Sequence, residues 1–296
     1  MTMSTSITSE KVTDGQKKQL KRFAEDAIDR AVSEGILPDK ESGQKLIENG
    51  DEFQADILAS IRRLSASNQF ADEEVESSYG YLSGCKPKDL ICQTNRLREL
   101  IPGVRFACED IPQRLALPSG AEGWFAIPKW QTLAKTYGEA VQKVLDLIKQ
   151  TRNGAFCNYR EGQLGPQNLR QSAKAVRAYE KLCSQQKDHD ILVVPCQFGL
   201  RHRGRSVRRA REVMPTSEFG LGAFEVGIML LTHPERLQHY NDLWIDLAGD
   251  EFSGDGGDSF GRAPYFYFNV DGVKFGAYDV SYAYAYCGSA SAFLPQ

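Results

Sequence analysis

The sequence predicts an α+β (mixed α/β) protein: a helical N-terminal region, residues 1–68, followed by a larger α/β domain, residues 69–296, whose mixed sheet ends in an antiparallel hairpin. Three observations lead there. Apolar residues near the N-terminus recur at three- and four-residue steps, strand-like apolar runs alternate with helical patterns through the middle, and the C-terminal segment turns to period-two alternation. With 296 residues, 41% hydrophobic and 25% charged, the chain has a globular composition and room for one large domain or two ordinary ones.

From about Ser9 to Glu34, the residues Leu20, Phe23, Ala24, Ala27, Ile28, Ala31 and Val32 form the stripe of a helix with one buried face, and Gly35 and Pro38 end it. A short helix over 41–49 stops at Gly50, and Phe53, Ile57, Leu58, Ile61 and Leu64 resume the helical period. The stretch 65–84 is polar and acidic, with Asp72, Glu73, Glu74 and Glu76 close together, and reads as a surface connection or hinge. Beyond it a helix is expected over 88–100, a strand over 124–130, and a helix over 137–151 that Gly154 stops. An irregular loop over 152–166 leads to a helix over 168–183, then a strand over 191–196, a helix over 223–231 and a strand over 243–247. The Asp271-Gly272 pair between the runs 266–270 and 273–278 predicts a hairpin with a type I′ turn. Tyr282, Tyr284 and Tyr286 alternate, so an extended chain places their rings on one face.

Several function classes are set aside by composition. The first ten residues lack the basic start and apolar stretch of a secretion signal. The longest apolar run, 220–231, is interrupted by Glu225 and is shorter than the roughly 20 residues that span a bilayer, so no membrane segment is expected. Seven cysteines, an odd number with irregular spacing and no Cys-x-x-Cys pair, point to reduced thiols and a cytoplasmic location rather than a disulfide framework or a zinc site.

Against a net charge of -3, the run Arg201, Arg203, Arg205, Arg208, Arg209 and Arg211, with His202 among them, stands out. It follows the apolar strand 191–196 and opens a helix that Ser206 caps and Pro215 closes, with Val207, Ala210 and Met214 as the apolar side. Cations in a first helical turn oppose the helix dipole, and an anion there reverses the sign. Free N–H groups, the close approach allowed by Gly199 and Gly204, and guanidinium forks all suit phosphate. The expected ligand site is therefore Arg201, His202, Arg203, Arg205, Ser206, Arg208 and Arg209. Its expected partner is a nucleic acid (RNA or DNA) or a phosphorylated small molecule such as a nucleotide.

The acidic segment after the strand 243–247 offers two rival readings. If the two strands are neighbours, Asp246, Asp250, Glu251, Asp255 and Asp258 reach the same rim and neutralise the arginines within the chain. Alternatively Asp246, Asp250, Glu251 and Asp255 hold Mg²⁺ or Ca²⁺ on a Gly-rich loop, and the protein is a metal-assisted phosphoester hydrolase. In a further alternative the Arg-rich loop and the aromatic C-terminal sheet form an assembly interface. The succession Tyr265, Phe266, Tyr267, Phe268 supplies both faces of a strand, and tyrosines beside arginines can stack bases. Cys196 stands one residue off the spacing of a cysteine phosphatase and reads as a small core residue; His233, His239 and Asp242 do not share a helical face and read as caps or surface.

Overall fold

A computed structural model describes residues 12–65 and 68–295. The chain divides into two compact units, residues 1–65 and 66–296. The first consists of α1 (Asp14–Ser33), α2 (Lys40–Glu48) and α3 (Gly50–Ser65). Thr13 caps α1 in a capping box with Gln16, and Asp39 caps α2. The expected helix start at Ser9 lies outside the described residues, as do the first ten residues and the side chain of Leu64. One expectation is corrected. Leu20, Phe23, Ile28 and Val32 of the α1 stripe are all exposed, because periodicity defines a face and says nothing of what covers it.

The second unit contains α4 (Leu90–Leu100), α5 (Ile111–Arg114), β1 (Gly123–Pro128), α6 (Tyr137–Thr151), β2 (Phe156–Asn158), β3 (Leu169–Gln171), α7 (Ala173–Gln185) and β4 (Ile191–Gln197). It continues with α8 (Val207–Val213), β5 (Glu218–Gly220), α9 (Ala223–Thr232), β6 (Trp244–Asp246), β7 (Asp250–Phe252), β8 (Arg262–Asn269), β9 (Gly272–Asp279), β10 (Cys287–Ser289) and β11 (Ser291–Phe293). The strands form two sheets. The first sheet is antiparallel throughout, in the order β1-β4-β11-β5. The second runs β10-β6-β8-β7-β3, with β9 on β8 and β2 on β9, and the pairs β10·β6 and β2·β9 are parallel.

One apolar cluster joins both sheets to α4, α6, α7 and α9. Every residue of α9 is buried, and the helix packs on α6, α4 and β1. In the second sheet the pleat sends Ile245, Phe266 and Phe275 into this core and Trp244, Tyr265, Tyr267 and Tyr278 to the opposite face.

Three local differences from the sequence reading have physical causes. The hairpin turn is Val270-Asp271, one residue early, with Asn269 paired to Gly272. A type I′ turn needs positive φ at both central residues, which β-branched Val270 resists; Gly272 takes the positive φ (131°) instead. Residues 169–171 form β3 rather than helix, because they pair with β7, and Ser172 caps the helix that starts after them. The stretch from Asn68 onward is no hinge: Glu74 bridges to Arg205, and the Val75 N–H donates to the Gly204 carbonyl at 2.8 Å. Among the described residues no helix is long and apolar enough to cross a membrane.

Candidate functional site

The Arg-rich turn begins where β4 ends. Gly199 (φ 126°) and Gly204 (φ 75°) let the chain double back, and each makes a close approach that a side chain would block: a Cβ on Gly204 would lie 2.1 Å from the Val75 carbonyl oxygen. Ser206 caps α8, its Oγ accepting from the Arg209 N–H at 3.1 Å. Because β4 is antiparallel to both β1 and β11, the turn does not lie on the carboxyl rim of a parallel sheet. Moreover β6 belongs to the other sheet, so the two apolar strands are not neighbours.

The anion at this turn is supplied by the chain itself, from the segment just before α4. Glu73 accepts from Ser206 Oγ at 2.6 Å and from Arg208 Nε at 2.8 Å, and Arg208 also lies 4.4 Å over the Phe70 ring. The Arg208 hydrogen bond, opposed by burial and aided by Ser206, holds the Glu73 carboxyl below the usual range. Glu74 pairs with Arg205 at 3.3 Å and with Arg209 at 2.5 Å, and Arg209 reaches Glu212 at 2.9 Å.

Glu218 of β5 answers the start of the run. Wholly buried, it accepts from Arg201 Nε at 3.0 Å, from Ser291 Oγ at 2.6 Å, and lies 2.8 Å from His202 Nε2. Burial works to raise its carboxyl, yet the bonds from His202 and Ser291 and the charge of Arg201 bring it below the ordinary range. Arg205 Nη1 stands 3.2 Å from His202 Nδ1; a guanidinium only donates, so Nδ1 accepts and Nε2 carries the proton toward Glu218. Burial pushes His202 down, against the pull of Glu218, so the ring is neutral. Arg211 donates to the Ala248 and Asp250 carbonyls at 2.9 and 2.6 Å. Arg203 is left exposed, with the Tyr79 carbonyl at 3.0 Å and no carboxylate ion pair among the described residues.

The acidic segment is dispersed rather than gathered. Asp246 is buried and accepts from the Tyr278 hydroxyl at 2.7 Å. Asp250 accepts from Tyr137 OH at 2.8 Å and from the Ala223 N–H at 2.7 Å. Glu251 pairs with Arg170 at 2.7 Å, and Asp255 binds Ser253 Oγ and the Gly257 N–H. Among the described residues no group of three or more His, Cys, Asp or Glu side chains is arranged to hold a metal ion. Cys196 and His233 are wholly buried; burial raises the Cys196 thiol well above its ordinary value, and His233 accepts from the Lys88 N–H at 2.9 Å.

Beside Arg203 lies a feature that the tyrosine pattern only hinted at. Arg203 bridges to Gly288, next to Cys287 of β10, and β10 carries the chain alongside Trp244. Trp244 stacks on Tyr267 (ring centroids 4.1 Å) and Tyr265 (5.6 Å) and tilts against Tyr286 (4.7 Å), which stacks on Tyr284 (5.0 Å). Tyr278, Tyr282 and Tyr79 complete a layer of eight rings. Gly276 permits it, since a Cβ there would stand 2.8 Å from the Tyr265 ring. The rings are half-buried, and Tyr282 is 51% exposed. The chain matches no protein family, and neither a curated protein nor a solved structure is significantly similar to it.

Proposed function

We propose that the second unit binds single-stranded nucleic acid, with bases stacking on the aromatic layer and phosphate meeting Arg203. The observation that carries this reading is the half-exposed layer of eight rings with an arginine at its edge that has no carboxylate partner among the described residues. Every base presents a π-face, and stacking on aromatic side chains contributes about 1–3 kcal/mol per base. Arg160, within electrostatic range of Tyr265, adds a second cation near the rings. Arg201, Arg205, Arg208 and Arg209 hold their own carboxylates, so the share of the Arg-rich turn in ligand binding falls to Arg203.

Titration of the protein with single-stranded RNA and DNA, followed by tryptophan fluorescence over a salt series, tests the reading. Stacking beside Trp244 quenches emission. Affinity falls with salt at a slope of about -0.7 per phosphate contact, and Arg203→Ala flattens that slope by about one contact. Tyr282→Ala weakens binding without unfolding the chain, since that ring is the most exposed of the layer. Absence of quenching, or binding indifferent to salt, refutes the proposal.

A further inference from the structure

A second site, independent of the aromatic layer, is built around a carboxylate pair at the start of α9. A cavity of about 240 Å³ opens between β3, β4, α7, α9 and the turn after β1, lined by Trp130, Gln171, Val176, Tyr179, Leu192 and Glu225. That is the volume of about eight waters. Glu225 is the one charged residue of an otherwise apolar, wholly buried helix. Its Oε2 accepts from the Gly222 N–H at 3.0 Å, Oε1 has a long 3.4 Å contact from Gln171, and Tyr137 also bonds to the carboxyl.

Asp250 stands behind it. A Cβ on Gly222 would lie 2.3 Å from Asp250 Oδ1 and 2.4 Å from Tyr137 OH, so only glycine lets these groups meet at the helix start. Burial raises both carboxyls, and each resists the ionisation of its neighbour. Asp250 receives Tyr137 OH and the Ala223 N–H, with Arg211 nearby, and burial with mutual repulsion leaves a proton on the carboxyl pair near neutrality.

The second observation is Tyr179. The residue is 9% exposed, and its hydroxyl has no hydrogen-bond partner among the described residues. That hydroxyl lies within electrostatic range of Glu225 and Cys183, both of which line the same cavity. An orphaned buried hydroxyl costs free energy unless something in the cavity answers it. The lining offers acceptors and an indole but no free cation: Glu180 adds a carboxylate at the rim, and Lys129 is committed to the Gln186 and Lys187 carbonyls at 3.1 and 3.2 Å.

We propose that this cavity binds a small organic cation, a primary ammonium on a short apolar body, with the nitrogen between Glu225 and Tyr179 and the body against Trp130, Val176 and Leu192. An ammonium favours the charged carboxylate and an aromatic face alike. Binding then ionises the pair and releases its proton. The groups facing Glu225 are Asp250 of β7, Tyr137 of α6, Tyr179 of α7 and Cys196 of β4. The tyrosines and the cysteine stay protonated near neutrality because burial raises them, so the released proton is that of the carboxylate pair.

Calorimetry with phenethylamine and with its neutral isostere phenethyl alcohol decides the matter, run from pH 6 to 8 in buffers of different ionisation enthalpy. The amine binds, the alcohol binds at least about tenfold more weakly, and amine affinity rises with pH as protons are released. Glu225→Gln weakens the amine by about thirtyfold, and Tyr179→Phe, which leaves the ring and its packing on Phe219, by about fivefold. Tyr179→Phe and the proton count remain informative even where Glu225→Gln disturbs folding. Equal affinity for the two probes, binding without proton release, or binding of neither probe overturns the proposal.

Discussion

Asp246 gives a stability prediction whose size follows from its surroundings. The side chain is 0% exposed on β6, beneath the aromatic layer. One oxygen accepts from Tyr278 at 2.7 Å, while among the described residues Oδ2 has no partner, nor does the hydroxyl of Ser289, which stands opposite in the β10·β6 register. Burial pushes the carboxyl from 3.8 to about 7, with the Tyr278 bond opposing. The folded state therefore holds a proton that the unfolded state releases near pH 4. Stability from this group is complete below the unfolded value and is lost as pH rises through about 7. The rise from 3.8 to about 7, at about 1.36 kcal/mol per pH unit, amounts to about 4 kcal/mol at pH 8.

Asp246→Asn removes the titration and keeps an acceptor for Tyr278. Urea unfolding of both proteins at pH 5, 6, 7 and 8 isolates the effect, since all other titrating groups cancel in the difference. All three tryptophans, Trp124, Trp130 and Trp244, lie in the second unit, so their fluorescence reports on that unit. The stability of the variant relative to the parent rises by about 1.4 kcal/mol per pH unit between pH 5 and 7 and flattens above. Parallel curves over this range would mean that Asp246 is already ionised in the fold, and the account of its burial would be wrong.

Two further outcomes rest on separate contacts. Joint Glu73→Gln and Glu74→Gln replacement removes two of the turn's internal anions: thermal unfolding moves down by a few degrees, and elution from a heparin column shifts to higher salt because Arg205 and Arg208 become available while Arg209 keeps Glu212. Gly138→Ala places a Cβ 1.7 Å from the Leu164 carbonyl oxygen, a backbone atom that cannot swing aside; the urea midpoint falls, corresponding to about 3 kcal/mol, with the fluorescence spectrum of the folded protein retained.

What was legible in the sequence were the features fixed by local periodicity. Val141, Val144, Leu145 and Ile148 repeat at helical steps and are buried in α6, and the alternation of β8 and β9 separates Phe266 and Phe275 from Tyr265 and Tyr278. Elements that depend on distant partners were not legible. A three-residue strand such as β3 is too short to show a period and exists because β7 pairs with it. The arginines fared likewise: their spacing shows that an anion is needed, but the choice between Glu73 and Asp255 is made by contacts across about 130 residues of chain. Local pattern can thus identify an unmet electrostatic requirement without identifying what meets it.

Glu225 shows how such a requirement can be read in a sequence. A charged residue inside the apolar run 220–231 served only to argue against a membrane span. Yet an ionised carboxylate placed in a buried helix costs several kcal/mol unless it is protonated or paired. At position 225 an apolar residue would have suited the helix better, so the retention of a carboxyl there raised a question that composition alone cannot answer. The fold answers half of it, through the Gly222 N–H that donates to Oε2, and through burial and the neighbouring Asp250, which raise the carboxyl. The other half is the Tyr179 hydroxyl, within electrostatic range of Glu225 and without a hydrogen-bond partner among the described residues. A buried carboxyl and an unanswered hydroxyl at one cavity are harder to explain as packing than either alone, because each could have been removed separately by one substitution.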